Sequence, residues 1–292
     1  MTAIASRGAP ALFLTRSARM FGARRLSQIL VSLVLLLQLY PLFWIITASL
    51  RTARSFETQN PFSVPTHLTL SNFSRAFREG DIPRFMLNSA IVTLSSDLLI
   101  VVLGMMGAYA IAVLGFRFSR AVLALFLAGI VVPVQVALVP LFVNYSRVGL
   151  LDSYPSMILP LTGFALPISV FLFISFYSYV PEEVYEAAAL DGCGPYRLFW
   201  QITAPMSANT IVTVVFVNSI FIWNDFIFAN TFVLSEGRKT IPLGLQSYLG
   251  AMGSTDWTAT FAAVSVTVTP LLLAFLVLNK AILRGLETRA RV

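Results

Sequence analysis

Six apolar runs divide this chain, at Leu26–Leu50, Asn88–Leu114, Arg120–Tyr145, Tyr154–Val180, Ala208–Phe232 and Thr258–Leu283. Each exceeds the roughly 20 residues that a helix, rising 1.5 Å per residue, needs to cross about 30 Å of hydrocarbon. Peptide groups in lipid have no water to bond, so runs of this kind must close their hydrogen bonds within a helix. Hydrophobic residues make up 57% of the chain and charged residues 11%, where a soluble domain carries about 25% charged. So little polar material cannot clothe a soluble fold of this size. The expected fold class is an all-α membrane protein with six transmembrane helices.

The net charge of +7 is spread over the ends of the apolar runs. That distribution marks membrane orientation and gives no basic face for nucleic acid. An even number of spans puts both termini on one side. With the termini inside, the inner segments hold 12 basic residues: Arg7, Arg16, Arg19, Arg24, Arg25, Arg117, Arg120, Arg197, Lys280, Arg284, Arg289 and Arg291. The outer loops hold 8: Arg51, Arg54, Arg75, Arg78, Arg84, Arg147, Arg238 and Lys239. The bias favours both termini in the cytoplasm. Residues 1–25 then form a basic cytoplasmic tail, 26–283 a six-helix transmembrane domain and 284–292 a cytoplasmic C-terminal tail. An Arg-rich, acid-free start is also the pattern of an organelle transit peptide, but the run after it is too long for a signal-peptide core. Cys193 is the sole cysteine, which excludes an intrachain disulfide, and His67 the sole histidine, which excludes a His-rich metal site.

This topology leaves 51–87, 146–153 and 233–257 outside, with 115–119 and 181–207 inside. The segment 181–207 is unusual for an inner loop, because Glu182, Glu183, Glu186 and Asp191 stand against a single Arg197. Pro181 suits a helix start, where its missing N–H costs nothing. Glu182 and Glu183 in the first turn favour the helix dipole, and Val184 to Leu190 continue the helix. Gly192 takes left-handed dihedrals freely and breaks it. Tyr196 to Gln201 can form a second short helix that Pro205 ends. The small face of Ala187, Ala188 and Ala189 allows close approach to a groove on another protein, with the acids pairing basic residues there. An amphipathic connector lying on the membrane is the other reading, although such connectors usually carry Lys or Arg towards anionic lipid.

The spacing Glu186-Ala187-Ala188, Gly192, Ile202 and Pro205 resembles the coupling loop of ATP-binding-cassette (ABC) importer permeases, with Ala204 where that family commonly has Leu. Leu70-Ser71-Asn72-Phe73, Asn88-Ser89, Gly107-Ala108-Tyr109-Ala110 and Gly149 to Ser153 resemble carbohydrate-importer permeases of the maltose and trehalose type. So do Trp223-Asn224-Asp225-Phe226, Thr240 to Leu245 and Arg284-Gly285-Leu286. The resemblance implies a type I importer permease in a bacterial inner membrane. It implies that the chain moves a sugar inward without catalysis of its own. The implied partners are a homologous second permease, two ATPase subunits, an extracytoplasmic sugar-binding protein and membrane lipid, with no nucleic acid. ATP and Mg would sit on the ATPase subunits, and this chain would hold no cofactor; it lacks G-x-x-x-x-G-K-[ST], the sequence that cradles ATP phosphates. Glu182, Glu183, Glu186, Ala187, Ala188, Asp191 and Gly192 become the expected coupling residues.

Polar residues inside spans are costly and draw attention as functional candidates. Asp97 shares a face with Gly104 and Ala108, which allows close helix approach; it reads as polar glue or as a functional group. Asn218, Trp223, Asn224 and Asp225 near the outer end of span five offer amides, a carboxylate and an aromatic face for a sugar, or simply a wet helix end. In span three Pro133 and Pro140 share a face with Asn144, and Gln135 adds an amide; bending there suits either a gate or a kinked packing helix. Loop 233–257, with Gly237, Gly244, Gly250, Gly253 and Trp257, is a candidate surface for the binding protein. A stand-alone secondary transporter and a polytopic membrane enzyme are the alternatives. No internal repeat favours the former, and no H-E-x-x-H or Ser–His pairing favours the latter. The helix–bend–helix reading predicts that Gly192→Pro inserts normally but neither assembles with an ATPase nor transports; normal substrate-stimulated ATP turnover in that variant would remove the docking role.

Overall fold

The computed structural model describes residues 11–60, 63, 65, 67–248 and 256–289. Every regular element among them is helical. In chain order these are α1 (Ala11–Ser49), α2 (Ala53–Thr58), α3 (Ser71–Arg78), α4 (Ile82–Tyr109), α5 (Ser119–Val131), α6 (Val134–Arg147) and α7 (Tyr154–Tyr177). They continue with α8 (Glu182–Leu190), α9 (Pro195–Leu198), α10 (Ala204–Met206), α11 (Ala208–Trp223), α12 (Ile227–Phe232), α13 (Ile241–Tyr248) and α14 (Trp257–Arg289). Two π-helical turns, Ala110–Leu114 and Phe199–Thr203, extend α4 and join α9 to α10.

Among the described residues four single helices are long and apolar enough to cross a membrane, and two bent pairs, each taken as one span, bring the passages to six. The expected continuous third span is instead α5 and α6, meeting at 98°. Pro133 causes this. Its ring forces Val132 into extended backbone (φ −70°, ψ 117°), and Pro133 itself is extended at ψ 131°. Pro133 therefore caps α6 and does not share a continuous helical face with Pro140 and Asn144. Span two starts at Ile82, before the expected Asn88. Span five ends at Trp223, short of Phe232, and meets the preceding helical segment at 71° around Ser207. Pro205 does not end the second arm of the inner loop; it lies in the first turn of α10, where proline is tolerated, and the corner falls at Ser207. Helix α1 already begins at Ala11, within the basic N-terminal segment; residues 1–10, Gly250, Gly253 and residues 290–292 lie outside the described residues.

The core is the pair α4–α7. Gly104 faces Phe173 and Ser169, where an added Cβ would stand 3.4 Å from the Phe173 ring, an ordinary contact distance. Gly107 opposes Val170 in the same way, at 3.6 Å. Ile100, Ala108, Val170 and Phe173 are fully buried along this seam. Small residues that admit close backbone approach are the usual basis of helix association in lipid. Helix α11 adds to the pair through two neighbouring polar residues. Asn218 donates to Ser169 Oγ at 3.1 Å and Ser219 Oγ donates to Asp97 at 2.6 Å. Asp97 thus faces the bundle interior, buried between α4 and α11. Interhelical hydrogen bonds of this kind contribute about 0.6 kcal/mol each, rarely above about 1.7.

At one end, polar side chains lash the connecting segments together. Asn88 Nδ2 donates to the carbonyls of Gly237 (3.1 Å) and Lys239 (2.8 Å), while Tyr154 Oη donates to Asn88 Oδ1 at 2.7 Å. Arg238 stacks 4.4 Å over the Tyr154 ring, and Ser89 Oγ accepts from the Ile241 N–H at 2.9 Å. Asn72 donates to the carbonyls of Ser49 and Arg51, both at 2.7 Å, and Arg75 bridges Asn72 to Asp256. Two of the arginines counted as topological charges are therefore structural: Arg75, and the fully buried Arg51, which donates to the carbonyls of Asn60 and Ser63. The described residues of 51–87, 146–153 and 233–257 gather here, and 115–119 and 181–207 at the other end, as the alternating topology requires.

Asp152 anchors the same knot from a left-handed backbone conformation (φ 54°). One carboxylate oxygen accepts from the Leu234 N–H, the Ser235 N–H and Ser235 Oγ, each at 3.0 Å. The Ser235 N–H is foremost in holding this carboxyl below the usual carboxylate range; Leu234, the Ser235 hydroxyl and Arg238 add to it. A lowered carboxyl stabilises the fold above the ordinary carboxylate range and loses that contribution as pH falls through its folded value. Amide exchange at Leu234 and Ser235, corrected for intrinsic rates, should stay slow down to about pH 4 and speed up below it; the absence of an acid step, or its persistence in Asp152→Asn, would contradict this assignment.

Candidate functional site

The inner loop folds as two helical arms around a glycine. Helix α8 ends in a Schellman motif: the Gly192 N–H donates to Ala189 O and the Cys193 N–H to Ala188 O, both at 3.0 Å. This geometry needs the φ of +78° found at Gly192, a value that costs an L-residue roughly 1–2 kcal/mol. A Cβ there would meet nothing within 4 Å, so the demand on glycine is purely one of backbone conformation. Gly194 and Pro195 then start α9, which runs through the second π turn to the Ser207 corner.

Glu182, Glu183, Glu186 and Asp191 are all exposed, and among the described residues none of them takes part in an ion pair. The alanine face divides. Ala187 and Ala189 point outward, whereas Ala188 is 6% exposed and packs into the apolar core. Ala188 therefore seats α8 on the spans and is not available to a groove on another protein. Sequence reasoning also passed over two residues that the fold projects from the bend, Leu190 (89% exposed) and Tyr196 (82% exposed). Large apolar side chains flanking a glycine bend were the available signal. An exposed apolar pair rimmed by unpaired carboxylates has the make-up of a protein contact.

Four helices, α6, α7, α11 and α12, line a cavity of about 390 Å³, and Gln135 (α6), Asn218 (α11) and Asp225 (between α11 and α12) are among its lining residues. Phe164, Phe221 and Phe228 supply aromatic surface to it. Gln135 is exposed and makes no side-chain hydrogen bond among the described residues. Asp225 is engaged differently: its carboxylate accepts from the Ala229 N–H (3.2 Å) and the Phe228 N–H (3.5 Å), capping α12. The other expected members of this set lie elsewhere. Trp223 turns away to donate from its indole to Thr267 O at 3.2 Å and packs with Ala262, Ala263 and Val266. Asn224 is exposed and donates to Ile220 O at 2.8 Å, and Asn144 is exposed on α6, outside the cavity wall. One helical turn separates these fates, because α11 ends at Trp223 and no longer sets a common face beyond it.

Comparison with known proteins follows the same outline. The family described as "Binding-protein-dependent transport system inner membrane component" matches residues 100–288. The diacetylchitobiose uptake system permease protein NgcG of Streptomyces coelicolor is 34% identical, over 91% of this chain and 87% of that protein. The trehalose transport system permease protein SugB of Mycobacterium tuberculosis is 29% identical, over 92% of this chain and 98% of its own. Among solved structures, a chain of a bacterial ABC transporter involved in import of the acidic polysaccharide alginate superposes with a TM-score of 0.76 at 19% identity. It covers 96% of this chain and 99% of that one. Six helical passages, a glycine-bent inner elbow and these likenesses converge: the chain belongs to the binding-protein-dependent transport system inner membrane components, as a multi-pass permease subunit of an ABC importer.

Proposed function

We propose that this permease moves a sugar, of the disaccharide or oligosaccharide class, into the cytoplasm, and that α8 and α9 are where the force for that step enters. The observation that carries the reading is the elbow's outer surface: Glu182, Glu183, Glu186, Leu190 and Tyr196 stand free of the rest of the chain. An ATPase subunit with a basic-rimmed apolar groove fits it. ATP and Mg belong on two such subunits, one under this chain and one under a homologous second permease. Closure of the ATPase pair then pushes the elbows and switches the bundle between two packings. Neither α5 nor α6 has a fully buried residue within the single chain, which supports their facing the second permease or the path between the two.

The sugar class rests on the names of the relatives, diacetylchitobiose and trehalose permeases among them, and on the cavity's amides and aromatic rings. A binding protein delivers the sugar at the opposite end, where the knotted segments around Asn88, Asp152 and Ser235 present a firm surface. A related solved structure, with a TM-score of 0.62, is of an alginate transporter in complex with a periplasmic protein. Both termini lie in the cytoplasm of a bacterial inner membrane, in keeping with the distribution of basic residues.

Three measurements test this reading. Glu186→Lys and Leu190→Asp should each weaken binding of the ATPase subunit to the solubilised permease, and wild-type affinity in both would remove the elbow as its dock. Cys193 is half-buried on the elbow and is the sole thiol. A membrane-impermeant maleimide should label it in inverted vesicles and not in intact spheroplasts; the reverse pattern would invert the topology. Gln135→Ala should lower sugar uptake several-fold at unchanged permease abundance, and full uptake would take Gln135 off the path.

A further inference from the structure

We infer that Tyr109 is a strut that carries movement of the elbow into span two, with the two π-helical turns beside it forming the compliant joint. This rests on the elbow as the ATPase dock and adds the route by which its displacement leaves it. Tyr109 is the last residue of α4, 5% exposed, and its hydroxyl donates to Pro195 O at 3.0 Å. Its ring lies 5.3 Å from that of Phe199, which is 4% exposed. Pro195 O already accepts from the Phe199 N–H within α9. A single carbonyl therefore joins the second arm of the elbow to the inner end of span two, one residue before the exposed Tyr196.

The backbone on both sides of this contact is unusual. The residues after Tyr109, Ala110–Leu114, form one π turn; Phe199 opens the other, Phe199–Thr203; no third π turn occurs among the described residues. A π turn is wider than an α turn, is rare, and is frequently found at functional sites. Two of them meeting through one buried tyrosine give a joint that changes winding without breaking the apolar contact. The far end of the elbow has its own tie. Ser207, at the 71° corner, lies 3.4 Å from the Tyr177 hydroxyl at the end of α7. The elbow thus reaches span two through Tyr109 and span four through Tyr177, and moves with the α4–α7 core instead of swinging on its covalent ends alone.

Tyr109→Phe removes the hydroxyl and keeps the ring on Phe199. The test uses the whole complex, this chain with its second permease and ATPase subunits, in proteoliposomes with binding protein and sugar. The measured quantity is sugar moved per ATP hydrolysed. Tyr109→Phe should assemble, bind the ATPase as the wild type does and hydrolyse ATP, while sugar moved per ATP falls several-fold. A wild-type ratio, or failure to assemble, would overturn the inference, because the hydroxyl would then be dispensable or merely structural. Glu186→Lys and Leu190→Asp, measured alongside, keep the two ideas apart. If they leave ATPase binding intact, the docking reading fails; if they abolish it while Tyr109→Phe keeps the wild-type ratio, only the strut fails.

Discussion

Hydrocarbon offers a peptide group nothing to bond with, and that constraint organises the rest of this structure. It makes every crossing segment a helix and confines irregular backbone to the places where protein surrounds it or water reaches it. The chain bends sharply at two such places, Val132–Pro133 and Ser207, and winds loosely at two more, Ala110–Leu114 and Phe199–Thr203. Three of these four lie at or beside the inner elbow, and the fourth adjoins the cavity wall that holds Gln135. Departures from regular helix are thus concentrated where a transporter has to move.

The same constraint explains how the polar residues are used. With no hydrophobic drive between helices in lipid, association relies on close packing and on hydrogen bonds. The α4–α7 seam supplies the packing, through Gly104 and Gly107 against Ser169, Val170 and Phe173. The neighbouring pair Asn218 and Ser219 supplies the bonds, one to α7 and one to α4. Helix α11 is therefore latched to both core helices at one level, in its outer half, about three turns from the Ser207 corner that connects it to the elbow. A push at the elbow meets a bundle whose central three helices are tied together, which is the mechanical condition for a switch between two packings. The knot at the opposite end, built on Asn88, Tyr154 and Asp152, keeps the outer segments in a fixed relation to the same helices.

Much of this was legible in the residues. Hydropathy gave six passages and the sides on which their connections gather. Helix propensity and one glycine gave the elbow, and Gly192 has the left-handed conformation that its position in the pattern demanded. The departures share a cause. A proline in an apolar run is compatible with a kink or a break: Pro140, Pro160, Pro167 and Pro270 stay inside helices, whereas Pro133 divides two. Trp223 and Asp225 are two residues apart, yet one packs against α14 and the other caps α12 on the cavity wall, because the helix stops between them.

The sequence by itself determined the solvent of this protein, the number of its crossings, the elbow and its charge, since each follows from local chemistry repeated along a stretch of chain. Tertiary structure alone decided which side of the alanine run seats α8 and which faces outward, that Leu190 and Tyr196 project from the bend, and that Gln135 and Asn218 line one cavity. It also decided that the Tyr109 hydroxyl finds Pro195 O across 86 residues of sequence. Such meetings depend on how whole helices rotate and settle against one another, and packing between distant segments sets that rotation in a way no local pattern records.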